Sequence, residues 1–510
     1  MTVAAGALSL VLVAMTAGVS LAAHKSAVNN NATPTTLTVA ETTAPSTLDP
    51  QGSDLAADRF AWDLSYQCLM DTTATGQVIP LLATSYSVGA GGLTYTFSLR
   101  HGVLFQDGSA LSSADVVATF NRLFTTGNPS ERDPFANYKS VTAIGPYTVK
   151  FTLSAPDAGF LEAMANPLLY GCAILSTTGI KSNTLATEMD GTGPWAQVGY
   201  SPQSELHLTR FAHYWGQQTK SANLNILYVP ESTTQVTDLE SGTVDLILPP
   251  ESAAKALAGV PRIKVVSVPS DVTVFLDINN NAPPFNNLLV RRALAVAVNR
   301  ASLAKIAYVG AAVSSAYVPP SYSWAATLPQ LPYSQYNVTE AKHLLDQAGY
   351  SHGLKITIKY IVNYDPGTNS LMAQLDSELD SAGFQVTLDP LEVAAWLAQT
   401  NTNADFTLSW NEQTYYSDPY LYVQVPDYRY GPGKGSIPSA LQKLCNSVLQ
   451  AKSVAAHQAA IVKVENWEAS NVYPTITLLA LNQYVAYNSR VTGVSVPASG
   501  TTAFLANVGV

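Results

Sequence analysis

The segment Trp410-Asn411-Glu412-Gln413-Thr414-Tyr415-Tyr416-Ser417-Asp418-Pro419-Tyr420 sets flat aromatic rings beside amide and carboxylate groups. That mixture suits binding more than bond-making. Rings strip water from a polar solute, while amides and carboxylates replace the hydrogen bonds it loses. Trp410, Asn411, Glu412, Gln413, Tyr415, Tyr416 and Asp418 are therefore the candidate ligand-binding residues. Groups for covalent chemistry do not assemble. Seven histidines, at 24, 101, 207, 213, 343, 352 and 457, include no pair at helical ligand spacing with an intervening Glu, so a zinc hydrolase motif is missing. No serine sits in a Gly-x-Ser-x-Gly elbow. Gly431-Pro432-Gly433-Lys434-Gly435-Ser436 lacks the four-residue spacer of a phosphate loop and reads as a flexible surface loop. Asp376, Glu378 and Asp380 read as the solvated face of a helix. No catalytic residue, no metal site and no cofactor is expected, and the chain reads as a non-enzyme.

The elements that position this segment are alternating strands and helices. Ala404-Asp405-Phe406-Thr407-Leu408-Ser409 alternates as a strand, and Trp410 opens a polar, aromatic loop at its end. Leu354 to Tyr360 predicts a strand, Leu371 to Ala382 a helix stopped by Gly383, and Phe384 to Leu388 a second strand, a unit typical of a mixed α/β sheet. Before it, Thr339 caps a predicted helix that ends at Gly349. Nearer the start, Tyr95 to Arg100 alternates as a strand, Asp107-Gly108 turns, and Ser112 or Ser113 caps a helix. That helix carries Asp115 in its first turn and an apolar face of Val116, Val117, Phe120 and Leu123. The Arg291-Arg292 pair at a helix start is expected to meet carboxylates or carbonyls rather than ligand.

Composition narrows the class further. The 510 residues exceed one core of roughly 100–200 residues. Hydrophobic residues at 47% and charged residues at 12% exclude a disordered chain or a coiled coil. With 26 Lys and Arg against 36 Asp and Glu, the net charge of −10 argues against a nucleic-acid partner. Residues 1–23 carry no charged side chain and end in Ser20-Leu21-Ala22-Ala23, a pattern expected of an export signal or an N-terminal anchor. Residues 24–36 read as a polar tether, and no later apolar run approaches spanning length.

Several motifs then carry a family resemblance. Tyr95 to Val117, Ser46-Thr47-Leu48-Asp49-Pro50, Gly191-Thr192-Gly193-Pro194-Trp195 followed by Tyr214-Trp215-Gly216, Leu239 to Asp245, and Phe285 followed by Val290 to Arg300 occur in order. Ala341 to Gly349, Trp410 and Asp418-Pro419 continue the series. The chain resembles the extracellular solute-binding proteins of the oligopeptide, dipeptide and nickel ABC importers, family 5. The resemblance implies an α/β, two-lobed periplasmic-binding-protein-like fold of the large type II class, with an extra subdomain in lobe I and two hinge crossings. Residues 37–270 plus 485–510 would form lobe I and residues 271–484 lobe II, crossing near Val268–Thr273 and Ala480–Ala486.

The implied function is capture of an extracytoplasmic oligopeptide by lobe closure and its delivery to the membrane permease and ATPase subunits of an importer. The protein would be an exported monomer, periplasmic or at the cell surface. An oligosaccharide-binding member, or a solute sensor signalling to a membrane receptor, is the alternative. In peptide-binding members a carboxylate three residues after the Trp pairs with the peptide α-amino group; here Gln413 stands at that place with Glu412 beside it and Asp418 further on. The arginine that clamps a dipeptide carboxylate has no counterpart in Tyr360 to Tyr364, and the arginine of nickel-chelate binders has none in Asn166 to Tyr170. A neutral or long ligand, held through its backbone or stacked on Tyr and Trp, is what those departures leave. Given export, Cys68 and Cys172, both assigned to lobe I, are candidates for a disulfide, the alternative being two buried free cysteines, and Cys445 reads as a small core residue.

Overall fold

The strand-helix-strand unit forms as Leu354–Ile361, Thr368–Ser381 and Phe384–Leu391. Its two strands lie parallel, with Leu354 opposite Phe384 and Ile361 opposite Leu391. Gly383, at φ +98°, supplies the left-handed residue that turns the helix back into the second strand. The computed structural model describes residues 35–510 apart from 54, 74–76, 158, 166–169, 309–317, 319–323, 365–366, 415–437, 452 and 497–501. The leader, most of the tether and the Gly431 to Ser436 loop thus lie outside the described residues.

Ten strands make one mixed sheet. Their order is Phe384–Leu391, Leu354–Ile361, Leu408–Thr414, Ile263–Ile278, Thr475–Asn488, Leu246–Ile247, Thr36–Glu41, Asn223–Tyr228, Glu205–Arg210 and Trp195–Ser201. At its centre the long strands Ile263–Ile278 and Thr475–Asn488 run antiparallel from one hydrophobic core into another. One core draws its buried residues from Val274 to Leu479, including Leu276, Leu294, Leu375 and Trp410. The other two main cores draw theirs from Leu37 to Ile226 with Val485 and Leu505, and from Cys68 to Ile174. The long strands lose register midway: Pro269 faces Asn482 and Thr273 faces Ala480, so Ser270, Asp271 and Val272 are taken up against Leu481 alone. Ser270 holds this bulge, its Oγ donating to the Leu481 carbonyl at 2.7 Å and accepting from the Val272 N–H at 3.2 Å.

A four-stranded antiparallel sheet, Ala83–Val88, Thr94–Leu99, Thr148–Leu153 and Tyr138–Gly145, is covered by the helix Ser113–Thr126. Ser112 caps that helix and Asp115 completes a capping box, while Val116, Phe120 and Leu123 are buried. The Cys68–Cys172 disulfide closes a loop of 104 residues around this unit. Cys445 is a buried free thiol on the helix Ser439–Leu449.

Two expectations about helices need correction. The helix Val338–Gln347 is capped by Asn337, whose Oδ1 accepts from the Glu340 N–H at 3.0 Å, and not by Thr339, because the helix begins before that residue. Glu378 is buried rather than on a solvated face. It accepts the Asn299 N–H at 2.8 Å and the Gln374 amide at 2.9 Å, since its helix packs that side against the helix Arg300–Ala307. Arg291 and Arg292 do bind carbonyls: they donate to Asn471, Val472 and Ser470, the last carbonyls of the helix Val454–Asn471, and Arg291 also to Phe285.

Candidate functional site

Trp410 does not open a loop. The strand begins at Leu408 and runs through Trp410, Asn411, Glu412 and Gln413 to Thr414. Antiparallel pairing extends it: Trp410 lies opposite Leu276, Asn411 opposite Phe275, Glu412 opposite Val274, Gln413 opposite Thr273 and Thr414 opposite Val272. A partner strand with free backbone groups on that edge keeps the segment extended where side-chain polarity alone suggests a loop. The register also brings the candidate segment to the bulge in the long strand, with Thr414 facing its last residue.

The opposite edge of the strand is different. Parallel pairing with Leu354–Ile361 covers only Leu408 and Ser409. Among the described residues, the two-sided ladder gives way to a one-sided one from Trp410 onward.

Trp410 is 1% exposed and belongs to the core beneath the sheet. Its indole meets Tyr364 edge-to-face at a centroid separation of 5.1 Å, and its Nε1–H has no acceptor within the protein. Before it, Ser409 is fixed by the Trp396 indole N–H, which donates to Oγ at 2.9 Å. Asn411 and Glu412 are half-buried. The Asn411 amide donates to Asp277 Oδ2 at 3.0 Å, and Thr273 Oγ1 across from Gln413 is buried without a hydrogen bond. Asp277 and Thr273 were not singled out from the sequence, although both lie on one face of an alternating run, Thr273-Val274-Phe275-Leu276-Asp277, that interleaves polar with apolar side chains. Of the other candidates, Gln413 is placed by its backbone, and Tyr415, Tyr416 and Asp418 lie outside the described residues.

Among its described residues the segment offers hydrogen bonding, and the exposed ring beside it is that of Tyr364. Among the described residues no group of three His, Cys, Asp or Glu side chains could hold a metal ion, and no helix is long and apolar enough to cross a membrane.

A mixed sheet carried between two cores by two antiparallel strands, with polar and aromatic groups next to the crossing, defines the two-lobed fold of the periplasmic binding proteins. Residues 77–430 match the family described as bacterial extracellular solute-binding proteins, family 5 Middle, and the chain belongs to that family. The glutathione-binding protein GsiB of Salmonella typhimurium is 30% identical over 318 residues, which are 61% of this chain and 61% of that protein. The chain thus matches about 61% of the length of this curated relative. Among solved structures, the DppA periplasmic binding protein of Helicobacter pylori in complex with the peptide STSA superposes with TM-score 0.75 at 24% identity, covering 93% of this chain and 98% of that one. NikZ of Campylobacter jejuni in complex with Ni(L-His) gives 0.76 at 18% identity, covering 93% and 99%.

Proposed function

We propose that this chain is the solute-binding component of an ABC importer and that its ligand is an oligopeptide. The observation that carries the reading is the one-sided ladder from Trp410 to Thr414 beside the strand crossing. An extended peptide can add to such an edge through main-chain hydrogen bonds, leaving side-chain specificity loose. Trp410, Asn411, Glu412 and Gln413, with Tyr415, Tyr416 and Asp418 further on, would line the place where it lies. GsiB, at 30% identity, is named for binding a peptide-sized thiol, glutathione, and supports the same class of solute.

Residues 37–270 plus 485–510 form lobe I in this reading and residues 271–484 lobe II, hinged where Ser270, Asp271 and Val272 bulge. A solute that touches both lobes only when they close shifts the population toward the closed form. That shape is the signal delivered to the permease and ATPase subunits. The protein works outside the cytoplasm, exported through residues 1–23 and held on the tether of residues 24–36, as a monomer. No bond in the solute need change, so no catalytic group is required.

Calorimetry with tetrapeptides, the same peptides N-methylated along the backbone, malto-oligosaccharides and Ni(II)-histidine tests the proposal. Peptides bind, N-methylation weakens them at least about tenfold, and small-angle scattering registers compaction on binding. Preferential binding of the sugar or of the nickel chelate, or indifference to N-methylation, overturns it.

A further inference from the structure

A second cavity lies away from the crossing. It occupies about 300 Å³ where the core built on Cys68 to Ile174 abuts the core that includes Leu64, Tyr66 and Trp195. None of its lining residues comes from 271–484. That volume is at the lower end for sites that take small molecules.

The lining is chemically mixed in a directed way. Gln67 is engaged at both ends of its amide: its nitrogen donates to the Tyr214 hydroxyl at 3.1 Å, and its carbonyl accepts from Thr192 and from the Trp215 indole, each at 3.0 Å. Tyr214 therefore accepts from Gln67 and keeps its own proton to donate. Trp195 is 0% exposed, lines the cavity, and its Nε1–H has no acceptor within the protein. That N–H has no surface open to the cavity, so Trp195 contributes wall and not a donor. Asp71 also lines the cavity, with one oxygen accepting the Thr72 N–H at 2.7 Å and, among the described residues, no Lys or Arg paired to it. Burial pushes its carboxyl above the ordinary carboxylate value, and an approaching cation would restore the charged form. Arg100 is near enough to influence Tyr214, but its guanidinium stacks on Trp215 at 4.3 Å and its Nε–H donates to the Leu81 carbonyl.

A hydroxyl donor and a carboxylate in one cavity call for a ligand with an acceptor at one end and a cation at the other. We infer that this cavity is a second binding site, taking a small amino compound in which an ammonium group lies close to a carbonyl, as in an amino acid or its amide. The ammonium pairs with Asp71, and the carbonyl accepts from Tyr214.

The probe is L-alaninamide, with propionamide, which lacks the cation, as its control. Binding to the full chain is followed by saturation-transfer NMR and calorimetry. L-alaninamide binds saturably and propionamide does not. Asp71→Asn and Tyr214→Phe each weaken L-alaninamide about tenfold or more, while Trp410→Phe leaves it unchanged. No saturable binding, binding untouched by both Asp71→Asn and Tyr214→Phe, or binding abolished only by Trp410→Phe overturns the inference. Circular dichroism and the melting temperature establish that each variant is folded. A variant that fails this check is replaced by Asp71→Ser or Tyr214→Leu, which remove the same carboxylate or the same hydroxyl. The test separates this site from the proposed peptide edge, because peptide binding is measured in parallel and answers to Trp410 rather than to Asp71.

Discussion

Trp410 and Tyr364 meet at 5.1 Å across the boundary between core and surface: the indole is 1% exposed and the phenol 49% exposed. The pair joins the packed interior of the Leu408–Thr414 strand to the open space beside it. Trp410 thus serves stability and the candidate site at once. Trp410→Ala leaves a large void and lowers stability by about 3–5 kcal/mol, read as a fall in the urea midpoint. Trp410→Phe keeps most of the packing and tests the site alone. Peptide affinity falls in that variant with the melting temperature lowered far less than by alanine; equal melting losses in both would deny the packing argument.

Glu465 gives a pH dependence with a definite sign. It is 1% exposed, and burial, with the Glu468 charge adding to it, pushes its carboxyl up to about 8 from the ordinary 4.5. Its Oε1 accepts the Val318 N–H at 2.7 Å. The folded state therefore holds this proton more tightly than the unfolded state. Its contribution is fully present below 4.5 and is lost as pH rises from 4.5 to about 8, by up to about 1.4 kcal/mol per pH unit, after which the loss levels off. Glu465→Gln removes that slope. Urea denaturation at a series of pH values should give a flatter curve for the variant and greater stability than the parent at the alkaline end.

The Cys68–Cys172 bond predicts one reactive thiol, that of Cys445, under denaturing, non-reducing conditions. Ellman titration returning three thiols would rule the bond out. Reduction releases a loop of 104 residues, and the entropy regained by the unfolded chain lowers stability by about 4 kcal/mol.

Asp245 ties the strand Thr36–Glu41 to the chain beyond the Thr475–Asn488 strand. It accepts the Thr38 N–H at 2.9 Å and the Arg490 Nε–H at 3.0 Å. Asp245→Ala strands a backbone N–H and costs about 2–3 kcal/mol, whereas Asp245→Asn keeps an acceptor for Thr38 and costs less. Chemical denaturation of the two variants should rank them in that order, and the reverse order would place the stabilisation in the Arg490 pair.

The framework was legible where local chemistry and periodicity agree. The capping box at Ser112 and Asp115 and the unit Leu354–Leu391 are both of that kind. The motifs that carry the family resemblance turn out to brace the scaffold. Asp49 pairs with Arg122, Asp245 with Arg490, and a Cβ on Gly191 would lie 1.9 Å from the Ser65 carbonyl oxygen. The candidate site was only half legible. Its residue types stand out, but whether Trp410 to Gln413 is loop or strand depends on a partner more than 130 residues earlier in the chain, and no local pattern encodes that pairing. Burial of Glu378 escaped notice for the same reason, because the Asn299 N–H that satisfies it is 79 residues away. The second cavity is further still from the sequence, since its walls come from 63–81, Ala165, 194–217 and 503–507.

The bulge at Ser270, Asp271 and Val272 restricts how the molecule can deform. Pairing resumes on either side of it, with a second slip between Val274 and Phe275, so sliding one strand past the other would break a whole row of N–H···O bonds, whereas torsion at the bulge would act on few. As the proposed hinge, the crossing would act as a torsion bar, stiff to shear and soft to twist, with the Ser270 hydroxyl bridging Leu481 and Val272 at its centre.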